Sequence, residues 1–153
     1  MRNNKETLTP NVMGLKLSKE NCSSNVNLTL YKSMVESLMY FTVTRPDIMY
    51  AVNLVSRFME TPNETHCQET KIILNYVNGT KEYVILYTTT NDFRLVGYTN
   101  NDWVGSVDDT KSMQAYVFHL GSGSISWASK KQPIVSLSIA EDEYVAIIAT
   151  PCQ

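Results

Sequence analysis

The side chains best able to ligate a soft metal are sparse in this sequence. Cys22, Cys67 and Cys152 are odd in number, far apart and free of any CxxC spacing, which points to neither a disulfide framework nor a zinc site. His66 abuts Cys67, but His119 lies far along the chain, so two ligand types occur without ligand spacing and no metal site is expected on them. What remains is ionic. Lys130-Lys131, soon after Trp127, is a basic pair in a loop, able to touch a phosphate backbone weakly. Carboxylates gather at Asp108-Asp109 and at Glu141-Asp142-Glu143.

The elements that must position these groups follow from composition and periodicity. A chain of 153 residues, 43% hydrophobic and 18% charged, suits one ordinary globular unit or two small ones. Its net charge of −2 and pI near 5.7 supply no general attraction for nucleic acid, so any such binding must use a local patch. Residues 1–28 lack apolar periodicity and read as an extended lead-in; behind their basic residues comes no apolar run, so no secretory signal is expected. With no membrane-length apolar stretch either, the expected setting is intracellular, cytoplasmic or nuclear, with no membrane partner.

Between Leu30 and Phe41 apolar residues recur at threes and fours, which predicts a helix. Thr44-Arg45-Pro46-Asp47 predicts the start of a second, capped by Thr44 and reaching about Glu60 before Pro62. A third begins near Asn63, turns Cys67, Thr70, Ile73, Leu74 and Val77 inward, and closes at Asn78-Gly79. Thereafter the pattern is strand-like: 83–88, 94–99, and a hairpin of 112–120 with 124–129 joined through Gly121-Ser122-Gly123. A last helix starts near Ser138, with Glu141 three residues on, and carries Tyr144, Val145, Ile147 and Ile148 on its apolar face. The fold class predicted is α+β: an extended lead-in at 1–28, a helical part at 29–80 and a sheet with one helix at 81–153.

Four segments carry a family resemblance: GLKLSKE (14–20), LYKSMVESLMYFTVTRPDIMYAVNLVSRFMETPNETH (30–66), GYTNNDWVGSVDDTKSMQAYVFHLGSGSISWASKKQPIVSLS (97–138) and AEDEYVA (140–146). In order and spacing they resemble the copia-type retrotransposon Pol polyprotein, from the end of its reverse transcriptase through a helical connection into ribonuclease H. The resemblance implies a helical reverse transcriptase/connection remnant over 29–80 and an incomplete ribonuclease H-like antiparallel sheet with one helix over 81–153. Such domains cleave the RNA strand of RNA–DNA hybrids with two metal ions, about 4 Å apart, which clamp the attacking and leaving oxygens and need charged oxygen ligands.

As the resemblance implies, four acidic residues share that work. The first lies on the opening strand in a motif written YTDSD; here the sequence is YTNND, so Asn100 occupies the metal-bridging position. A neutral amide cannot offer two oxygens to two cations, and Asp102, about 6.6 Å along the strand, is too far to replace it. The second is the later Glu of an AEAEY block, retained as Glu143 beside Glu141 and an unusual Asp142. The other two positions would fall after Gln153. The expectation is therefore a degenerate ribonuclease H-like chain that is not an enzyme, holds no cofactor, and is not restored by Asn100→Asp alone; Mg²⁺ belongs only to the intact ancestral domain. Val107-Asp108-Asp109 lacks the aromatic residue of a reverse transcriptase YxDD hairpin and reads as a polar loop.

Other departures bear on binding. Where the family helix resembles AKRILRYLKGT, this chain has TKIILNYVNGT, so Ile72, Asn75 and Asn78 replace basic residues and nucleic-acid affinity should fall. Weak binding through Lys130 and Lys131, and self-association through an unpaired edge of strand 94–99, are the partners expected. Two alternatives to a non-catalytic retrotransposon-derived chain are a weak RNA–DNA hybrid-binding module and a secreted effector-like interaction protein.

Overall fold

The three-and-four spacing after residue 28 does wind into a helix, α1, over Leu28–Phe41. It begins where the Asn27 side chain accepts the Leu30 N–H at 3.0 Å, and it buries the stripe Tyr31, Val35 and Leu38. The computed structural model describes residues 7–11, 17–18, 26–89, 91, 93–102 and 111–149, and the chain divides into two compact units, Met1–Val84 and Ile85–Gln153.

In the first unit the Thr44 cap does not form. The Thr44 hydroxyl instead donates back to the Phe41 carbonyl, and Arg45, held out of the helical region by the following proline at φ −127° and ψ 83°, precedes one 3-10 turn over Pro46–Ile48. The Asp47 carboxylate takes the Arg45 guanidinium on both oxygens. The second helix, α2, covers Met49–Ser56 and stops short of Glu60, because the chain turns so that Phe58 is buried with its ring 3.8 Å from that of His66. The third, α3, runs Glu64–Gly79 behind a capping box in which Asn63 and His66 serve each other: the His66 N–H donates to the Asn63 side chain, and His66 Nδ1 accepts the Asn63 N–H. Its inward face is His66, Glu69, Thr70, Ile73 and Tyr76, a slight rotation from the predicted one that leaves Cys67, Leu74 and Val77 half-buried. The core joins α1, α2 and α3 through Tyr31, Val35, Leu38, Ile48, Val52, Val55 and Ile73, and the buried Tyr31 hydroxyl donates to the Val55 carbonyl at 2.7 Å. From the lead-in, Leu17 and Val26 also pack on this core.

Across the boundary between the two units, residues 83–89 form no strand, although 83–88 is predicted as one. β-Branched and aromatic residues adopt a ladder only against a partner strand, and this segment is held instead by side-chain bonds: Tyr87 Oη to the Ser124 carbonyl, and the Thr88 N–H to Ser122 Oγ. Three antiparallel strands do form: β1 (Leu95–Asp102), β2 (Met113–Leu120) and β3 (Gly123–Lys131), in the order β1-β2-β3. The β2–β3 turn needs Gly121, whose φ is +58°. Gly97 lies opposite Phe118, so close that a Cβ there would fall 2.7 Å from the ring. The expected polar loop at 107–109 lies outside the described residues. The last helix, α4, spans Ile139–Ala149, with Ser138 Oγ accepting the Glu141 N–H at 3.2 Å, so the predicted capping residue serves. Its predicted apolar face is not buried: Tyr144, Ile147 and Ile148 are exposed, whereas Asp142 is 1% exposed. A helix apolar nearly all round must leave one side uncovered when the other packs on β1. The architecture is α+β.

Candidate functional site

The sequence pairs an amide on a strand with carboxylates on a helix, and the second unit brings them to one place. Thr99, Asn100 and Asn101 of β1 and Ile139, Asp142, Glu143 and Ile147 of α4 line a cleft of about 190 Å³. Asn100 stands opposite Ala115 in the β1–β2 ladder and is exposed; Glu143, also exposed, lies beyond the first turn of α4, where the helix dipole assists Glu141 and Asp142 more directly. Asn100 and Glu143 therefore share one wall-to-wall space.

The tightest interactions in the cleft belong to residues the sequence did not single out as site residues. Asn101 Nδ2 donates to the Asp142 carbonyl at 2.7 Å, stitching β1 to α4. The Asp142 carboxylate accepts only from the Ser136 hydroxyl, at 3.1 Å on Oδ1, and Ser136 is also bonded to Gln132 Oε1. Asp142 Oδ2 and Asn101 Oδ1 are buried with no hydrogen-bond partner, which is costly for a carboxylate taken out of water. The signal for Asp142 was the acidic triplet itself; nothing in the sequence distinguished which of the three would turn inward. Glu141 is occupied elsewhere, its Oε2 accepting the Leu137 N–H at 2.8 Å.

Two-metal chemistry needs carboxylates that bridge both ions, and the β1 side of this cleft presents Thr99 and the amides Asn100 and Asn101. Among the described residues no group of three or more His, Cys, Asp or Glu is placed to hold a metal ion. His66 is engaged in the α3 cap, and burial pushes the neighbouring Cys67 thiol up from its ordinary pKa. Lys130 and Lys131 lie at the end of β3, opposite Gln114 and Met113, rather than in a loop. Neighbours on a strand point to opposite faces, so the two ammonium groups do not make one patch.

Comparison with known proteins bears on the origin of this arrangement. The chain is 42% identical over 157 aligned positions, 98% of its own length, to the retrovirus-related Pol polyprotein from transposon TNT 1-94 of Nicotiana tabacum, and 41% identical over 95% of its length to that from transposon RE1 of Arabidopsis thaliana. It is also 43% identical over 76% of its length to the secreted RxLR effector protein 161 of Plasmopara viticola, of which it covers 83%. Over nearly its whole length the chain is thus similar to a part of retrovirus-related Pol polyproteins of plant transposons. It spans 12% and 10% of the two Pol polyproteins' own lengths. No family model matches this Pol relative, and no solved structure matches it. Among the described residues no helix is long and apolar enough to cross a membrane.

Proposed function

We propose that this transposon-derived Pol relative is a non-catalytic chain from the reverse transcriptase–ribonuclease H stretch of a copia-type polyprotein, and that residues 81–153 correspond to the opening of its ribonuclease H-like domain. One observation carries the reading: Asn100 and Glu143, separated by more than forty residues, line the same cleft, and the strand position carries an amide. Three antiparallel strands followed by a helix support it as the scaffold on which such carboxylates would converge. With a neutral ligand in the bridging position, the cleft does not assemble two hard cations.

The test is incubation of the full chain with a labelled RNA–DNA hybrid in Mg²⁺ and in Mn²⁺. No cleavage above a protein-free blank is expected. Metal-dependent cleavage that disappears in Glu143→Gln would overturn the reading. The coverage of 83% of the Plasmopara relative favours a second reading, an effector-like interaction protein. That reading requires the product of the native gene to be recovered outside the cell.

A further inference from the structure

Two partly apolar surfaces of the chain are opposite in charge. The first is a groove of about 680 Å³ in the helical unit, lined by Phe41 at the end of α1, by Tyr83 and by one face of α3. Lys71, Leu74, Asn75 and Asn78 recur there at threes and fours, so a single stripe of the helix forms the floor. The cations of the groove are Arg45, Lys71 and Lys81, and no carboxylate lines it. Asp47, 2.7 Å from Arg45, offsets that charge, whereas Lys71 and Lys81 are exposed and have no salt bridge among the described residues. Much of the lining between them is apolar, and the Phe41 and Tyr83 rings are open to solvent.

The second surface is on α4. Asp142 turns inward, while Glu141, Tyr144 and Ile148, at i, i+3 and i+7, make an exposed stripe of one carboxylate, one aromatic and one aliphatic side chain. Among the described residues only Oε2 of Glu141 is taken, by the Leu137 N–H. No basic residue stands in the last turn, so the negative end of the helix dipole is not offset there. Amphipathic helices enter grooves through anchors at this spacing. A helix that is acidic at its start and negative at its end suits a groove holding two ammonium groups about an apolar floor. We propose that the groove receives α4 of a second copy of this chain, with Tyr144 and Ile148 against the apolar lining and Glu141 beside a lysine. Groove and helix are different surfaces, so the contact is head-to-tail and adds copies beyond two unless it closes into a ring. It does not rest on the reading of the Asn100 cleft, whose α4 wall is Ile139, Asp142, Glu143 and Ile147.

The experiment is sedimentation velocity of the full chain from low micromolar to a few hundred micromolar. The weight-average mass is expected to rise with concentration above the 17.3 kDa of one chain, and to rise less in high salt. Lys71→Glu/Lys81→Glu and Glu141→Lys should each weaken association on the order of tenfold or more, since each sets like charges face to face. An equimolar mixture of these two variants should recover it, because each then offers the other a surface of opposite sign. Tyr144→Ala should weaken association on the order of tenfold. Circular dichroism verifies that these exposed-site variants stay folded, and the mixture separates lost charge matching from lost structure. A mass fixed at one chain at every concentration, association indifferent to the lysine pair, or a mixture no more associated than its components would each overturn the proposal.

Discussion

Arg45→Met should loosen the helical unit more than removal of an ion pair would. The substitution keeps an apolar stem and deletes the guanidinium contacts to Thr80, Asp47 and the two tyrosine rings. Hydrogen bonds from a charged donor each contribute about 1.5–3 kcal/mol. Two circumstances lower that figure here: the Thr80 carbonyl also accepts the Tyr83 N–H, and the Thr80 hydroxyl also bonds the Tyr76 carbonyl, so neither atom is orphaned. The Asp47 contact, with that side chain 33% exposed, is screened to below about 1 kcal/mol. The expected loss is about 2–3 kcal/mol, a fall in Tm on the order of 10–15 °C for a unit of this size. Far-UV circular dichroism at 222 nm reads it, because α1, α2 and α3 carry most of the helical residues. Asp47→Asn should cost less than about 1 kcal/mol. Acid gives a second readout. Burial pushes the Asp47 carboxyl up, but hydrogen bonds from Arg45 and Tyr76 and the Arg45 charge outweigh it and hold its pKa below the ordinary 3.8. A depressed folded pKa contributes stability above the unfolded value that is lost as pH falls through the folded one. The wild type should therefore lose this increment below about pH 4, whereas Arg45→Met should not. The reasoning fails if Arg45→Met costs less than about 1 kcal/mol, or if Asp47→Asn costs as much as Arg45→Met.

Three further outcomes are expected. Burial pushes the Tyr31 phenol from 10.0 up to about 12, so its contribution is whole below pH 10 and is lost as pH rises toward 12; a base titration of stability should show this in the wild type and flatten in Tyr31→Phe. A Cβ on residue 123 would lie 2.4 Å from the Tyr87 ring, so Gly123→Ala should destabilise the sheet by about 1 kcal/mol, and chemical unfolding in a Tyr87→Ala background should show the penalty gone. Asp142→Ala removes a buried carboxylate with one partner but keeps the backbone carbonyl that Asn101 bonds, so Trp127 fluorescence in urea should show it neutral or about 1 kcal/mol more stable.

The α+β class, the first and third helices and the Gly121 hairpin were legible because each rests on local chemistry: a 3.6-residue apolar period, a capping Asn, a positive φ. The Asn100–Glu143 juxtaposition came from the family resemblance, since no periodicity joins residues so distant. Illegible features were those decided by partners remote in sequence. Arg45 is committed to Thr80, thirty-five positions away, and thereby removes Asp47 from the expected cap. His66 fills the third position of a capping box where Glu or Gln is the usual signal. Strand propensity at 83–88 found no neighbouring ladder. On α4 hydrophobicity points in almost every direction, so composition left open which side packs, and the Asn101 bond to residue 142 accompanies an inward-facing Asp.

Gly97 has a consequence for how the sheet chooses its alignment. Leu95, Val96 and Tyr98 of β1 are all exposed, so burial does little to distinguish one alternation of its faces from the other. The Phe118 ring distinguishes them by shape. Sliding β1 by one residue would bring Val96 or Tyr98 under that ring, and sliding it by two would bring Leu95 or Thr99, each with a Cβ where only a hydrogen now fits. The glycine works as a keyway and the aromatic ring as its key: a strand whose hydrophobicity would tolerate several alignments has one in which the Phe118 ring need not move.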